Sequence, residues 1–345
     1  MGKKVIMKDV AEAAGVCLMT VSYALRDHPS ISEATRGKVH RIARELGYIR
    51  NPLVSALVNR LRTQREIKGA PSIAYVCSYA DRRSMMANPF RRAYYAGAEA
   101  EAERHGCRLE LFLADDYSST RGKRLTEVLR YRNVQGVIMG ISPLNSAPIA
   151  LDWSGFAGCV IGYSRKYPGL HRVDANYTQI VSLAISKLTD IGYSRIGMLC
   201  GGFENRRVEG VVTAAIAGYN SIHRRDRQIP VAVVAPKNWN PGAMRKWVEH
   251  HRLEALITQS HTPYHFLRST GLAIPEELAL VTLENSAESS MAGIDQKPQE
   301  LGAAAARLVI RQLDRNLRGL PSVRRTTLLD GVWIDGATVN QPQRG

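Results

Sequence analysis

The chain has 345 residues, and at about 100–200 residues per domain this length predicts two or three domains. Hydrophobic residues make up 45% of it and charged residues 23%, an ordinary globular composition that excludes a disordered or fibrous protein. Lys and Arg number 47 against 31 Asp and Glu, and the net charge of +16 makes nucleic acid or another anionic surface the leading partner class.

Residues 1–68 form a basic segment in which three short helices are predicted, with 13 Lys and Arg against 6 Asp and Glu. A first helix fits Lys8–Ala14, Gly15 supplies a turn, and a second helix fits Leu18–Arg26. A third runs from a cap at Ser32 to Leu46. Two helices joined by a tight turn and covered by a third indicate a helix-turn-helix, or else an ordinary three-helix bundle with a solvated basic face.

From residue 72 onward, short apolar runs rich in β-branched residues alternate with amphipathic helices. The alternation predicts an α/β fold of parallel sheets, with more strands than one sheet usually holds. We therefore expect two α/β lobes that divide near Tyr163–Asp174, with ligands bound at the carboxyl ends of the strands. The predicted strands are Ile73–Cys77, Leu109–Leu113, Gly136–Met139, Cys159–Ile161, Ile196–Leu199, Val231–Val234, Ala255–Ile257 and Leu278–Leu283, and the clearest helices are Pro89–His105, Tyr177–Ile191 and Pro298–Arg318.

Signatures of catalysis, cofactor binding and metal binding are missing. No P-loop and no GxGxxG follows a predicted strand, and Ile196 stands where a nucleophile elbow would need its second glycine. His261 and His265 are four residues apart, but Pro263 between them and the lack of a suitably spaced carboxylate disfavour a zinc site. Five scattered cysteines without a CxxC pair exclude a disulfide framework. We expect no enzyme, no cofactor and no metal.

No targeting or membrane segment is predicted. The first residues lack the apolar stretch of a signal peptide, and Ile6 stands where a myristoylation motif wants Ser or Thr. No apolar run approaches the roughly 20 residues that span a bilayer. We expect a cytoplasmic protein with no membrane partner.

The amino-terminal segment carries a specific resemblance. Asp9–Arg26 (DVAEAAGVCLMTVSYALR), followed by Ser30–Arg36 and Leu46–Asn51, closely resembles the DNA-binding head of the lac repressor (LacI/GalR) family. The resemblance implies a homodimeric, sequence-specific transcription factor, with a periplasmic-binding-protein-like core that responds to a small molecule. Its implied domains are a helix-turn-helix head at 1–50, a hinge helix and linker at 51–68, and a two-lobed effector-binding and dimerisation core at 69–345.

In that family the second helix of the head enters the major groove of double-stranded DNA. By similarity Leu18, Met19 and Tyr23 are the base-reading positions. Leu18 and Met19 cannot form bidentate hydrogen bonds, so readout is expected to depend on apolar contact with thymine methyl groups and on the phenolic hydroxyl of Tyr23, unless Leu18 and Met19 pack in the core. Cys17 stands where Ser would cap the helix, which predicts a weaker cap. The expected phosphate contacts are Thr20, Ser22, Lys8, Thr35 and Arg36.

Residues 51–60 resemble the hinge helix of the family, beginning at Asn51. At eight or nine residues this helix is below the roughly 12–15 at which an isolated helix becomes marginal in water. Two hinges brought together on DNA would order each other. Leu57 is then the candidate wedge that enters the minor groove and kinks the duplex, with a plain linker as the alternative.

The core offers candidate effector contacts, each of which could also be a structural cap or core residue. Arg207, with Gly210, matches the Arg-x-x-Gly that clamps ligand oxygens in the family, because its five forked donors suit that role. Trp239 aligns with an aromatic platform for a sugar face. Family positions with altered residues are Ser260, His261 and Glu284, and first-lobe candidates are Tyr79, Asp81 and Phe90.

The sequence thus predicts a regulator, most simply a repressor, that acts as a dimer on operator DNA and is controlled by a small-molecule effector such as a sugar. One rival is a regulator of the same family with no diffusible effector, which answers to a protein co-regulator or to nothing. A second rival is an α/β enzyme or sugar carrier with an incidental basic head.

Overall fold

A computed structural model of the protein describes residues 5–25, 30–46, 48, 71–115, 122–143, 146–163, 169–223, 228–235, 238, 240–286 and 288–340. The chain divides into two compact units, Met1–Ala70 with Arg311–Leu317 and Pro71–Ile310 with Arg318–Gly345. The predicted linker at 51–68 lies outside the described residues. Within the described ranges, every helix is too short or too polar to cross a lipid bilayer.

The first unit contains the predicted helix-turn-helix. Its helices are α1 (Met7–Ala14), α2 (Leu18–Ala24) and α3 (Glu33–Glu45). Gly15 ends α1 at φ 64°, a left-handed conformation that glycine adopts without strain. Small apolar residues let the three helices approach closely, and the buried ones are Val10, Ala11, Ala14, Val21, Ala24, Val39 and Ala43. The second helix ends at Ala24, two residues earlier than predicted, and Leu25 is its C-cap.

The second unit is built on two six-stranded sheets among the described residues. The first has the order β11-β5-β4-β3-β1-β2 and the second β12-β10-β9-β8-β6-β7. Paired strands are parallel except β12, which runs antiparallel to β10. The strands are β1 (Ser72–Cys77), β2 (Arg108–Leu113), β3 (Val134–Met139), β4 (Ala157–Ile161), β5 (His171–Ala175), β6 (Ile196–Gly201), β7 (Val231–Val234), β8 (Ala255–Thr258), β9 (Ala279–Asn285), β10 (Ala292–Asp295), β11 (Thr326–Leu329) and β12 (Val332–Ile334).

Helices connect the strands and cover the sheets. They are Arg82–Met86, Pro89–Arg104, Lys123–Tyr131, Tyr177–Ile191, Gly202–Arg207, Val211–Ile222, Pro241–His250, Thr262–Arg268 and Pro298–Asp314, with one 3₁₀ turn at Trp153–Gly155. This is the predicted two-lobed α/β architecture, and all eight predicted strands are present.

The predicted lobe boundary near Tyr163–Asp174 is wrong. Residues 171–175 form β5, an inner strand of the first sheet that pairs with β4 and β11. The strand was not predicted because its sequence, HRVDA, contains three polar residues, whereas a buried parallel strand was expected to be a continuous apolar run. The chain therefore leaves the first lobe at Asn176, which caps the helix Tyr177–Ile191 through a bond from the Gln179 amide.

The chain passes between the lobes three times, and two of these crossovers are hydrogen-bonded to each other. The side-chain amide of Asn176 donates to Asp330 at 2.8 Å, and the backbone N–H of Asn176 donates to the Leu329 carbonyl at 2.8 Å. Gln179 exchanges two hydrogen bonds with the backbone of Gly331. These bonds hold two of the three crossovers side by side.

In the first lobe, the helices Pro89–Arg104 and Pro298–Asp314 cross in close backbone contact, and each contributes a glycine to the crossing. A Cβ added at Gly97 would lie 1.8 Å from the Gln299 carbonyl oxygen, and one added at Gly302 would lie 1.9 Å from the Tyr94 carbonyl oxygen. Arg307 joins the same helices by an ion pair to the buried Glu101 at 3.2 Å. The crossing accepts no side chain at these two positions.

We expect Gly97→Ala to destabilise the protein by about 1–3 kcal/mol, since the methyl group would push two backbones apart. Gly218→Ala is the matched control, because Gly218 also lies inside a helix but a Cβ there meets nothing within 4 Å. The control should be neutral or stabilising by up to about 1 kcal/mol. Urea unfolding of the variants measures both effects, and equal stability of the two would contradict the close crossing.

Candidate DNA-binding and ligand-binding sites

The second helix of the head presents two large apolar side chains to solvent. Leu18 is 50% exposed and Met19 is 59% exposed, whereas Val21 and Ala24 of the same helix are fully buried. Core packing of Leu18 and Met19, the alternative considered from the sequence, is therefore wrong. Apolar side chains that a helix leaves uncovered at its amino-terminal turn are free to meet another surface.

Cys17 begins this helix without capping it, as the sequence predicted. Its side chain accepts no backbone hydrogen bond in a capping geometry, and its sulfur lies 3.1 Å from the hydroxyl oxygen of Thr20. The hydrogen bond from Thr20 lowers the pKa of this exposed thiol. The hydroxyl of Thr20 thus points back to the start of the helix.

The other proposed DNA contacts are accessible to different degrees. Lys8 is exposed on α1, 3.8 Å from Glu12, whereas Ser22 and Tyr23 are half-buried. Thr35 and Arg36 lie in the first turn of α3, where the Ser32 hydroxyl accepts from the Thr35 amide at 3.3 Å. Arg36 donates to the Ile31 carbonyl at 3.2 Å, which commits part of its guanidinium to the fold. Asn51 and Leu57 lie outside the described residues.

A cavity of about 450 Å³ opens between the two lobes of the core, within the usual size range of small-molecule sites. It lies at the carboxyl ends of the parallel strands, as expected, because loops after β1, β3, β4 and β10 and the helix after β6 supply its walls. Four residues predicted from the sequence line it: Tyr79, Phe90, Arg207 and Glu284.

Arg91 fixes the position of Tyr79 on the first-lobe wall. Its guanidinium lies 4.5 Å from the centre of the Tyr79 ring and donates to the Tyr79 hydroxyl at 3.2 Å. It also donates to the carbonyl oxygens of Met85 at 3.0 Å and Ser84 at 2.9 Å. The guanidinium of Arg91 therefore makes most of its hydrogen bonds within the protein, and these contacts hold the ring of Tyr79 in place against the cavity.

Arg207 and Glu284 are charged side chains of the second lobe that no described residue pairs. Neither side chain makes a hydrogen bond or ion pair within the described part of the chain. Burial raises the pKa of Glu284, partly offset by the nearby charge of Arg207. Both residues are half-buried, and a charge partly withdrawn from water without a partner is costly, so both groups are suited to a ligand that supplies donors and acceptors.

Behind Arg207 lies a second cavity of about 20 Å³, enough for one water molecule. Glu204 and Gln259 line it, and each has a buried oxygen atom with no hydrogen-bond partner among the described residues. The two oxygens extend the set of unpaired acceptors at the base of the cleft.

Three predicted effector contacts do not line the main cavity. Asp81 is exposed and caps the helix Arg82–Met86, accepting from the Ser84 amide at 2.6 Å, and this bond lowers its pKa. Ser260 and His261 follow β8, and burial lowers the pKa of His261. A further predicted contact, Trp239, lies outside the described residues.

Sequence reasoning missed several lining residues because they belong to elements it did not resolve. Asp174 ends the unrecognised strand β5, and Tyr177 begins the helix after it. Tyr94 lies inside a helix, where a buried tyrosine is no signal of a site. The cavity also takes in Arg91 and Gln296. Among the described residues no cluster of His, Cys, Asp and Glu could hold a metal ion.

Comparison with known proteins matches both parts of the chain. Residues 6–51 match the family model of bacterial regulatory proteins, lacI family. The HTH-type transcriptional regulator CelR of Thermobifida fusca is 26% identical over 328 residues, covering 88% of this chain and 90% of CelR. A solved CelR–cellobiose complex has a TM-score of 0.58 at 21% identity, covering 97% of this chain and 99% of that one. The lac repressor dimer bound to operator and the anti-inducer ONPF has a TM-score of 0.56 at 18% identity, covering 97% and 99%.

We expect Asp81→Ala to lower the thermal midpoint by about 2–4 °C, since the helix Arg82–Met86 loses its cap. Asp81→Asn is the control, because an amide oxygen can accept the same backbone hydrogen bond, and it should unfold near the wild-type temperature. Neither change should alter the affinity of any ligand bound in the cleft. Loss of ligand affinity in both variants would instead place Asp81 in the binding site.

Proposed function

We propose that this chain is a transcriptional regulator of the lacI family that represses transcription by binding a specific operator as a dimer, under the control of a small sugar in the cleft. The observation that carries the DNA-binding part is the exposure of Leu18 and Met19 beside the buried Val21 and Ala24. The effector part rests on the cavity between the lobes and its unpaired charges.

Base recognition by this head depends on apolar contact. The two exposed side chains at the start of α2 offer no hydrogen-bond donor or acceptor that could read a guanine or an adenine edge. The feature of the major groove that they complement is the thymine methyl group. Lys8, Arg36 and Thr35 would add phosphate contacts, which position the head and make its affinity fall steeply with salt.

A dimer suits this mode of recognition. A head of about 45 residues contacts too few base pairs to select one operator, and two heads on a pseudo-palindrome double the contact. The solved lac repressor is a dimer on its operator, and its fold covers nearly the whole of this chain. The proposed hinge residues Asn51 and Leu57 would then meet their copies at the centre of the site.

A sugar fits the chemistry of the cleft. Tyr79 and Phe90 offer aromatic faces, and Arg207 and Glu284 offer an unpaired donor and an unpaired acceptor for hydroxyl groups. The CelR structure of the same fold holds cellobiose. A ligand that contacts both lobes favours one angle between them, and it changes DNA affinity only by the difference of its affinities for the two states.

The DNA-binding proposal is tested by selecting bound sequences from random duplexes and then replacing contacted thymines by uracil. Each lost methyl contact should weaken wild-type binding about fourfold, the equivalent of about 0.8 kcal/mol. Leu18→Ala and Met19→Ala should bind more weakly and lose this sensitivity to uracil. Ile222→Ala is the control, since it removes an apolar side chain of 80% exposure in the other unit. Equal uracil sensitivity in all variants would exclude methyl recognition by α2.

The effector proposal is tested by thermal unfolding with cellobiose, D-glucose and D-ribose. A sugar at a hundred times its dissociation constant stabilises by about 2.7 kcal/mol and should raise the thermal midpoint by roughly 5–10 °C. Arg207→Met should abolish the shift, whereas Arg268→Met, which removes an exposed guanidinium bound to Tyr264, should retain it. If no sugar stabilises the wild type, the chain regulates transcription without a sugar effector.

A further inference from the structure

Asp174, at the end of β5, is a carboxylate that the fold buries and leaves half paired. Its side chain is 3% exposed and lines the cleft. One oxygen accepts from the backbone N–H of Ala175 at 2.8 Å, and the other, Oδ2, is buried with no hydrogen-bond partner among the described residues. A half-satisfied buried carboxylate costs stability, so a purely structural role does not explain it.

The charged and titratable groups around Asp174 leave this oxygen unpaired. On its own strand Arg172 is turned to the Tyr163 ring, 4.4 Å from its centre, and its electrostatic influence on Asp174 is attractive without a direct contact. Arg207 acts from the second lobe in the same way. Three tyrosines from different segments also lie near enough to interact with Asp174. Burial raises the pKa of each, and the charge of Asp174 raises it further: Tyr94, Tyr163 and Tyr177.

Glu284 faces the same cavity from the end of β9, in the other sheet. The cleft therefore holds one incompletely paired carboxylate in each lobe: Asp174 has one oxygen without a donor, and the side chain of Glu284 has no hydrogen bond within the described part of the chain. Two such acceptors in opposite walls match a ligand that carries hydroxyl donors on two edges. A ligand with only acceptors would leave both carboxylates unpaired.

We propose that Asp174 is the first-lobe specificity residue of the effector site: it accepts a ligand hydroxyl opposite Glu284, selects polyhydroxy ligands, and couples their binding to the release of a proton. The inference rests on the proposed sugar effector and adds to it. Asp174 acts by direct contact with the ligand, and because Glu284 contacts the ligand from the other lobe, the pair makes lobe closure depend on an occupant that donates to both.

The proton coupling has a definite sign. Burial raises the pKa of Asp174 to about 7, so in the empty protein the carboxyl is partly protonated near neutral pH. Hydroxyl donors favour its ionised form, so the bound ligand lowers this pKa and a proton leaves on binding. Affinity should therefore rise with pH up to about 7 and level off above it, being about tenfold weaker at pH 6 than at pH 8.

The first experiment uses the ligand-free protein. Because the folded pKa of Asp174 is above its unfolded value, ionisation costs stability progressively as pH rises from about 4 to about 7. Asp174→Asn removes this cost, so its thermal midpoint relative to wild type should increase by roughly 3 °C or more between pH 5 and pH 8. Asp190→Asn, an exposed aspartate of the second lobe, should show no such increase. A constant or falling difference for Asp174→Asn would show that the carboxylate is already paired, and would overturn the proposal.

The second experiment measures binding of cellobiose, D-glucose and D-ribose by calorimetry from pH 6 to pH 8, in buffers of different ionisation enthalpy. Wild type should release a proton and bind its best sugar about tenfold more tightly at pH 8. Asp174→Asn should weaken binding at pH 8 by tenfold or more and remove both the pH dependence and the proton release. Wild-type affinity that ignores pH, or an Asn variant that binds like wild type, would overturn the role of Asp174 while leaving the sugar effector intact. Failure of every sugar to bind the wild type would overturn both.

Discussion

A charged side chain that is withdrawn from water without its full set of hydrogen-bond partners raises the free energy of the folded protein, and the cleft of this chain contains three such groups, the buried Asp174 and the half-buried Arg207 and Glu284. Arg207 and Glu284 come from the second lobe and Asp174 from the first. Glu101, a buried carboxylate of the first lobe, is by contrast paired with Arg104 and Arg307. The cleft is thus a place where the fold leaves charged groups without hydrogen-bond partners that a ligand can supply. Groups that oppose stability in this way are typical of sites that work through them.

The head shows the opposite exception to the usual separation of apolar and polar residues. The buried residues of its core are all alanines and valines, and Leu18 and Met19 remain outside although both are larger than these buried residues. Apolar groups exposed at the start of α2 gain free energy only when another surface covers them. In the function proposed for this chain, that surface is the floor of the major groove. Both sites thus depart from the rule that apolar residues are buried and charged residues are exposed. The core has incompletely paired charges in its cleft, and the head has apolar side chains exposed to solvent.

The route of the chain through the core decides how a ligand can act. Parallel strands place all their carboxyl ends at one edge of each sheet, and the two edges face the same cleft. The crossovers at Asn176 and at Asp330–Gly331 are hydrogen-bonded to each other, so two of the three connections between the lobes lie side by side. A ligand held by both lobes therefore selects an angle. Coupling to DNA follows to the extent that operator and effector prefer different angles.

The sequence by itself determined the helix-turn-helix, since Gly15, the Ser32 cap and the apolar spacing of the head are local signals. It also determined eight strands of the core, because an apolar run bounded by turns needs no partner to be recognised. Four strands were not predicted: β5, β10 and β11 lack a continuous apolar run, because they contain polar residues or glycine, and β12 is only three residues long. Because β5 was not predicted, the position of Asp174 in the cleft was not predicted either. Asp81 was predicted to contact the ligand, whereas it caps the helix Arg82–Met86. Only the tertiary structure decided these points, because whether a polar side chain lies in a cleft, a cap or an ion pair depends on residues distant in sequence, and local pattern does not encode them.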